Sequence, residues 1–214
     1  MKIAVVDYGM GNLRSVTKAL EHVAPEHTVI LTSDAATVAA ADKVVFPGQG
    51  AMRDCVRELD ERGLRTAVLT AAAEKPFLGI CVGAQLLFDA SEEGGNTPAL
   101  GVFPGQVVRF PAARMVDANG QRLKVPHMGW NEVWHTRRHP LWAGIPDGDR
   151  FYFVHSYYMQ PAQTALTVGT SQYPFEFTAA VARDNIFATQ FHPEKSHVAG
   201  LQLLKNFVAW DGRA

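Results

Sequence analysis

Cysteine is scarce in this chain, with only Cys55 and Cys81 among 214 residues. Two cysteines exclude a disulfide framework, and neither stands in a C-x-x-C or zinc-ligand spacing. An excess of one charge is lacking as well. The 20 Lys and Arg residues against 21 Asp and Glu leave no global field to draw nucleic acid or an anionic membrane, and neither is expected as a partner. No apolar run approaches the roughly 20 residues that span a bilayer. The apolar stretch after Lys2 stops at Asp7, too short for the core of a signal peptide, and is read as a first strand. Internal repeats, low-complexity tracts and Gly/Ser-rich linkers are also missing. The expectation is one domain over residues 1–214, in a reducing, cytoplasmic setting that keeps a thiol available. No metal or organic cofactor is implied.

What is present is a large apolar complement, 47% of residues against 19% charged, enough for a sizeable core. The first half alternates short β-branched runs with helical spacing. Strands are expected at Ile3–Asp7, His27–Thr32, Lys43–Phe46 and Phe77–Ile80, and helices at Asn12–Val23, Ala51–Leu59 and Leu64–Ala73, with a further helix starting over Ala84–Phe88. This alternation predicts an α/β fold: a doubly wound, mixed but mostly parallel sheet with helices on both faces and its site at the carboxyl ends of strands. The second half reads as strands joined by short turns, at Val107–Phe110, Arg150–Met159, Leu166–Thr170, Phe177–Ala182 and Ile186–Phe191, before a closing amphipathic helix at Val198–Trp210.

The segment GICVGAQ at Gly79–Gln85 carries the most chemistry. A strand ends at Ile80 and Cys81 sits at the turn into a helix, flanked two residues away by Gly79 and Gly83, the pattern of a nucleophile elbow. A helix N-terminus there favours a thiolate, and the Val82 N–H is placed to meet an oxyanion. A small core cysteine is the competing reading, and it is the one assigned to Cys55, which lacks such flanks. A nucleophile needs a base and the base an orienting group. In QFHPEKS, His192 and Glu194 lie two residues apart at a strand end, so both point to one side and Glu194 can hold one imidazole nitrogen. A surface loop is the alternative for that motif taken alone. PGQG at Pro47–Gly50 follows the third strand, where glycines around Gln49 let a backbone N–H supply a second oxyanion donor; a plain strand-to-helix turn is the competing reading.

Together these segments resemble the class I (triad) glutamine amidotransferases. The likeness is closest to a subfamily, the glutaminase subunits of imidazole glycerol phosphate synthase. It runs end to end, through DYGMGNLRSV, FPGQGAM, GICVGAQLLF, SEEGG, PHMGWN, FYFVHSYY and QFHPEKS. The resemblance implies that Cys81 attacks the side-chain amide of L-glutamine, that His192 shuttles the proton and that Glu194 orients His192. It implies backbone oxyanion donors at Gln49, Gly50 and Val82, and a substrate pocket formed with Gly48, Gln85, Glu93, Ser156 and Tyr157. The partner it implies is a (β/α)8-barrel cyclase, docked through Asn12, Trp130, Tyr152 and Lys195 and receiving the ammonia. Without the resemblance, Glu93 reads as part of a solvated turn, and Trp130 and Tyr152 as core aromatics.

One motif points elsewhere. Gly9 and Gly11 after a strand, with Asp34 further on, imitate a dinucleotide fingerprint, but Arg14 stands where glycine or alanine is needed for close helix–strand packing. Three rival functions remain to be weighed. They are a glutaminase subunit serving a different synthase, a freestanding γ-glutamyl hydrolase or peptidase, and a silent docking module. PHMGWN, FYFVHSYY and HPEKS oppose the first, a partner surface the second and an intact triad the third.

Overall fold

The computed structural model describes residues 1–117 and 119–213. In chain order it forms β1 (Lys2–Val6), α1 (Leu13–Val23), β2 (Thr28–Thr32), α2 (Ala35–Ala40), β3 (Lys43–Gly48), α3 (Met52–Glu61), α4 (Arg65–Glu74), β4 (Phe77–Cys81) and α5 (Val82–Gln85). There follow β5 (Phe88–Ser91), β6 (Thr97–Pro98), β7 (Phe103–Arg109), β8 (His127–His135), β9 (Asp149–His155), β10 (Tyr157–Pro161), β11 (Thr167–Gln172), β12 (Glu176–Arg183), β13 (Ile186–Thr189) and α6 (His197–Ala209).

The runs IAVV, KVVFPG and FLGIC are buried at every position, because each lies in the middle of a sheet covered on both sides. Strands β2, β1, β3, β4 and β13 pair in parallel, in that order. An antiparallel extension continues from β13 through β12, β10 and β7. Strands β11, β8 and β9 branch from β12. Two pairs of packed helices, α1 with α6 and α2 with α4, cover the sheet. Helix α1 shows why: Val16, Ala19 and Leu20 fall on one face and are buried, while its charged residues face away.

Four expectations are corrected. The helix expected over Ala84–Phe88 is a single turn ending at Gln85, and Phe88 already begins β5. The expected third strand runs two residues further, so Pro47 and Gly48 belong to β3 and Gly48 pairs with Cys81. The strand expected over Arg150–Met159 breaks at Ser156, whose carbonyl accepts from Phe110 N. Its two halves take different neighbours, β9 pairing with β8 and β10 with β7 and β12. The expected strand Ile186–Phe191 ends at Thr189, so His192 and Glu194 are not on a strand but at a 3-10 turn over Pro193–Lys195. The nucleotide motif also dissolves: Asp34 caps α2, accepting from the backbone and hydroxyl of Thr37 at 2.8 and 2.6 Å.

Candidate active site

Cys81 sits where β4 turns into α5, with φ 55° and ψ −115°. A non-glycine residue in that region is strained, and the neighbouring backbone holds it there. Gly83 is the reason the turn closes. A Cβ at Gly83 would lie 1.9 Å from the Phe46 carbonyl oxygen, so the elbow and β3 cross with no room for a side chain. Gly48 meets the same crossing from the other strand, its hypothetical Cβ 2.5 Å from Gly83 N and from the Tyr8 hydroxyl.

His192 is brought to this turn by the segment after β13. Its backbone N–H donates to the Tyr152 carbonyl at 2.9 Å, and the Ser196 hydroxyl donates to its carbonyl at 2.6 Å. The Nδ1 atom of His192 pairs with Glu194 Oε1 at 2.8 Å, with both side chains buried. The other ring nitrogen, Nε2, has no hydrogen-bond partner. Burial alone would pull the imidazole pKa down, but the Cys81 sulfur and the Glu194 carboxylate outweigh it and push it up to about 10. No hydrogen bond of ordinary geometry closes between Nε2 and the sulfur, and the sulfur's first effect on the imidazole is coulombic.

A pocket of about 270 Å³ opens on these groups, walled by Gln49, Gly50, Val82, Glu93 and Ser156 among others. Gln85 and Tyr157 also line it, whereas Gly48 lies behind the wall, at the strand crossing. Glu93 Oε2 accepts from Met52 N at 2.7 Å, which fixes the carboxylate at the start of α3. Both donors of the buried Gln85 amide are taken up inside the protein, by Tyr157 O at 3.0 Å and Gln190 Oε1 at 2.9 Å. Larger hollows of about 650 and 660 Å³ lie elsewhere, and neither is lined by a cysteine.

The residues expected at a partner surface divide in the same way. Trp130 is 43% exposed, stacks on His197 at 4.9 Å and meets the Tyr152 ring edge-on at 6.0 Å. Lys195 Nζ stands 5.9 Å above the Tyr152 ring. Asn12 precedes α1 and accepts from the Ser15 hydroxyl at 3.0 Å, and α1 packs against the turn that carries Glu194 and Lys195. Cys55 is fully buried, its thiol pushed up to about 12 chiefly by that burial, and its sulfur donates to the Gln49 carbonyl at 3.6 Å.

Sequence reasoning missed His155, which lines the pocket, and Gln190, whose amide nitrogen lies 3.9 Å from the Cys81 sulfur. His155 follows no spacing rule. Gln190 is the first residue of QFHPEKS, and its proximity to the His192 motif was the one available signal.

Residues 4–210 match the family model described as glutamine amidotransferase class-I. The chain is 69% identical over 97% of its length, and 96% of the relative's, to the imidazole glycerol phosphate synthase subunit HisH of Dechloromonas aromatica. With the protein of the same name from Aromatoleum aromaticum the identity is 67%, over 97% of this chain and 98% of the other. Among solved structures, a putative GMP synthase protein from Thermoplasma acidophilum superposes with a TM-score of 0.68 at 23% identity, covering 98% of this chain and 92% of the other. PurLQS from Thermotoga maritima gives 0.70 at 16% identity, with 97% of each chain covered. Those two likenesses carry the fold, while the family model and the relatives carry the lineage. The chain belongs to the class-I glutamine amidotransferases.

Proposed function

We propose that this chain is the glutaminase subunit of an imidazole glycerol phosphate synthase, hydrolysing L-glutamine and handing the ammonia to a (β/α)8-barrel cyclase in histidine biosynthesis. What carries the reading is an intact Cys81–His192–Glu194 set inside a chain that subunits of that synthase match from end to end. With the proton already held on His192, whose pKa is pushed up to about 10, the Cys81 sulfur attacks the glutamine side-chain carbonyl carbon. The carbonyl electron pair moves onto oxygen, facing backbone N–H groups of Val82 and the Gln49–Gly50 segment. His192 returns the proton to the departing nitrogen as the C–N bond breaks, leaving ammonia and a glutamyl thioester. A water then gives its proton to His192 and attacks the thioester carbon, and glutamate is released as the sulfur departs beside the protonated imidazole. Glu194 holds Nδ1 throughout, which keeps Nε2 aimed at the sulfur.

In this reading Glu93 takes the α-ammonium of glutamine, supported by its place on the pocket wall, and Gln85 and Tyr157 line the same pocket. Trp130, Tyr152, Lys195 and Asn12 form the docking face, supported by the exposure of Trp130 and by Lys195 sitting next to Glu194. A cytoplasmic setting belongs to the same reading, and no described helix is long and apolar enough to cross a membrane. The deciding experiment is glutamine hydrolysis by the purified chain, alone and with the cyclase and its nucleotide substrate. Strong turnover only in the complex supports the proposal. Equal turnover without the cyclase would instead mean a freestanding amidase.

A further inference from the structure

The hydrogen bonds behind the pocket run in one direction. Asn131 on β8 donates one amide N–H to the Gln172 carbonyl at 2.8 Å, which fixes its nitrogen end, and lies 3.3 Å from His127 Nε2. That ring nitrogen is therefore the acceptor, and His127 Nδ1 carries the proton. His127 Nδ1 lies 2.9 Å from His155 Nε2, so His155 accepts there and carries its own proton on Nδ1. His155 Nδ1 then donates to the Tyr157 carbonyl at 2.8 Å. A carbonyl can only accept, so the tautomer of each ring follows from its neighbour.

The same Tyr157 carbonyl receives the Gln85 amide at 3.0 Å, which fixes Gln85 with its nitrogen toward Tyr157. Gln85 also donates to Gln190 Oε1 at 2.9 Å. That settles the Gln190 amide in turn: oxygen toward Gln85, nitrogen toward Cys81, 3.9 Å from the sulfur. Gln85 and Gln190 are 4% and 0% exposed, so water does not compete for these groups. Burial holds His127 down to about 4 and His155 down to about 3, so both rings stay neutral and keep a single acceptor each.

On the glutaminase reading above, we propose that Gln190 is a further catalytic residue. Its amide N–H donates to the Cys81 sulfur, and the Tyr157 carbonyl, acting through Gln85, sets which end of the amide faces that sulfur. The bond is strongest when the sulfur is anionic, after its proton has moved to His192, and it weakens when the thioester makes the sulfur neutral. Gln190 thus favours the attacking form of Cys81. His155 acts at one remove, as a positioning residue that shares the Tyr157 carbonyl with Gln85.

The test reads the sulfur directly, by the rate of iodoacetamide alkylation of Cys81 against pH. Tyr8, Cys55 and His192 are the titratable groups coupled to that sulfur, and all three are left intact. Gln190→Met keeps the length and removes the donor. It should slow alkylation near neutral pH about tenfold, the lower end for a hydrogen bond to a charged group, and move the profile to higher pH. If that variant does not fold, Gln190→Asn, which draws the amide back by one methylene, should move the profile the same way. His155→Leu should slow alkylation in the same direction, and His155→Asn, whose side-chain nitrogen sits where Nδ1 does, should recover most of the loss. An unchanged profile in the Gln190 variants would overturn the catalytic role. Equal losses in His155→Leu and His155→Asn would remove His155 as a positioning residue for the Tyr157 carbonyl. Alkylation needs neither glutamine nor the cyclase, so a complex with the cyclase that fails to hydrolyse glutamine would refute the proposed function without touching this result.

Discussion

Lowering the pH from neutral should strip stability from this fold through three buried histidines. His127, His139 and His155 are 4%, 7% and 6% exposed. Burial is the first cause in each case, and it pulls them to about 4, about 4 and about 3. The unfolded chain binds a proton at each near the ordinary value of about 6.5, while the folded chain does not, so stability falls as the pH drops through that value. By about pH 5 each ring costs about 2 kcal/mol and the three together about 6 kcal/mol, comparable with the whole stability of a typical domain. His192 does not offset this. Its folded pKa is raised, so its contribution is complete below about 6.5 and is lost only as pH climbs toward the about 10 it holds when folded. His135 is lowered by burial as well and adds in the same direction. Urea unfolding at a series of pH values measures the slope. His139→Asn, whose carbonyl can replace Nδ1 as acceptor from Leu141 N, should reduce that slope by about a third. A flat midpoint between about pH 7 and pH 5.5 would refute the reasoning, as would imidazole resonances titrating near the unperturbed value.

Four further outcomes are expected. Cys81→Ser should abolish glutamine-dependent turnover by the complex and leave its ammonia-dependent turnover in place; loss of both in steady-state assays would deny a separate ammonia-generating role. Glu194→Gln removes a carboxylate that raises His192, so the imidazole pKa should fall and turnover should drop about 100-fold, the lower end of what general acid–base catalysis contributes. A normal rate in that variant would mean Glu194 does not orient the base. Gly83→Ala should cost about 3 kcal/mol in urea unfolding, at the upper end for overpacking, because of the Phe46 carbonyl. Gly63→Ala meets nothing within 4 Å and should cost only about 1 kcal/mol for its left-handed backbone, so equal losses at the two positions would contradict the steric account. Lys195→Ala should weaken docking on the cyclase, and an unchanged affinity by titration would take Lys195 out of the interface.

The parts of this fold that could be read from sequence are those set by local pattern. IAVV, KVVF and FLGI are β-branched or apolar throughout, and such runs between helical stretches belong to central parallel strands. The elbow was legible because two glycines at fixed spacing report a backbone crossing. Strand β8 was not, because Met128, Trp130 and Trp134 are exposed on it and its pattern is not that of a half-buried strand. The break at Ser156 is set by partners far along the chain and has no local signal. Gln190 and His155 stand inside QFHPEKS and FYFVHSYY, but their contacts are set by partners elsewhere in the fold. Gln190 meets Gln85 across 105 residues and Cys81 across 109, and nothing at either end of those contacts marks the other.

The crossing of Gly48 and Gly83 has a bearing on how this site can be altered. Gly83 leaves no space beside the Phe46 carbonyl, and Gly48 leaves none beside Gly83 N. The loop that carries Cys81 and the strand that leads to Gln49 and Gly50 are therefore fitted to each other as one piece. A library that varies Gly79–Gln85 over an unchanged Phe46–Gly50 will return mostly unfolded chains, as will the reverse. New specificity is more accessible through Glu93, Ser156 and Tyr157, which border the pocket from outside that crossing.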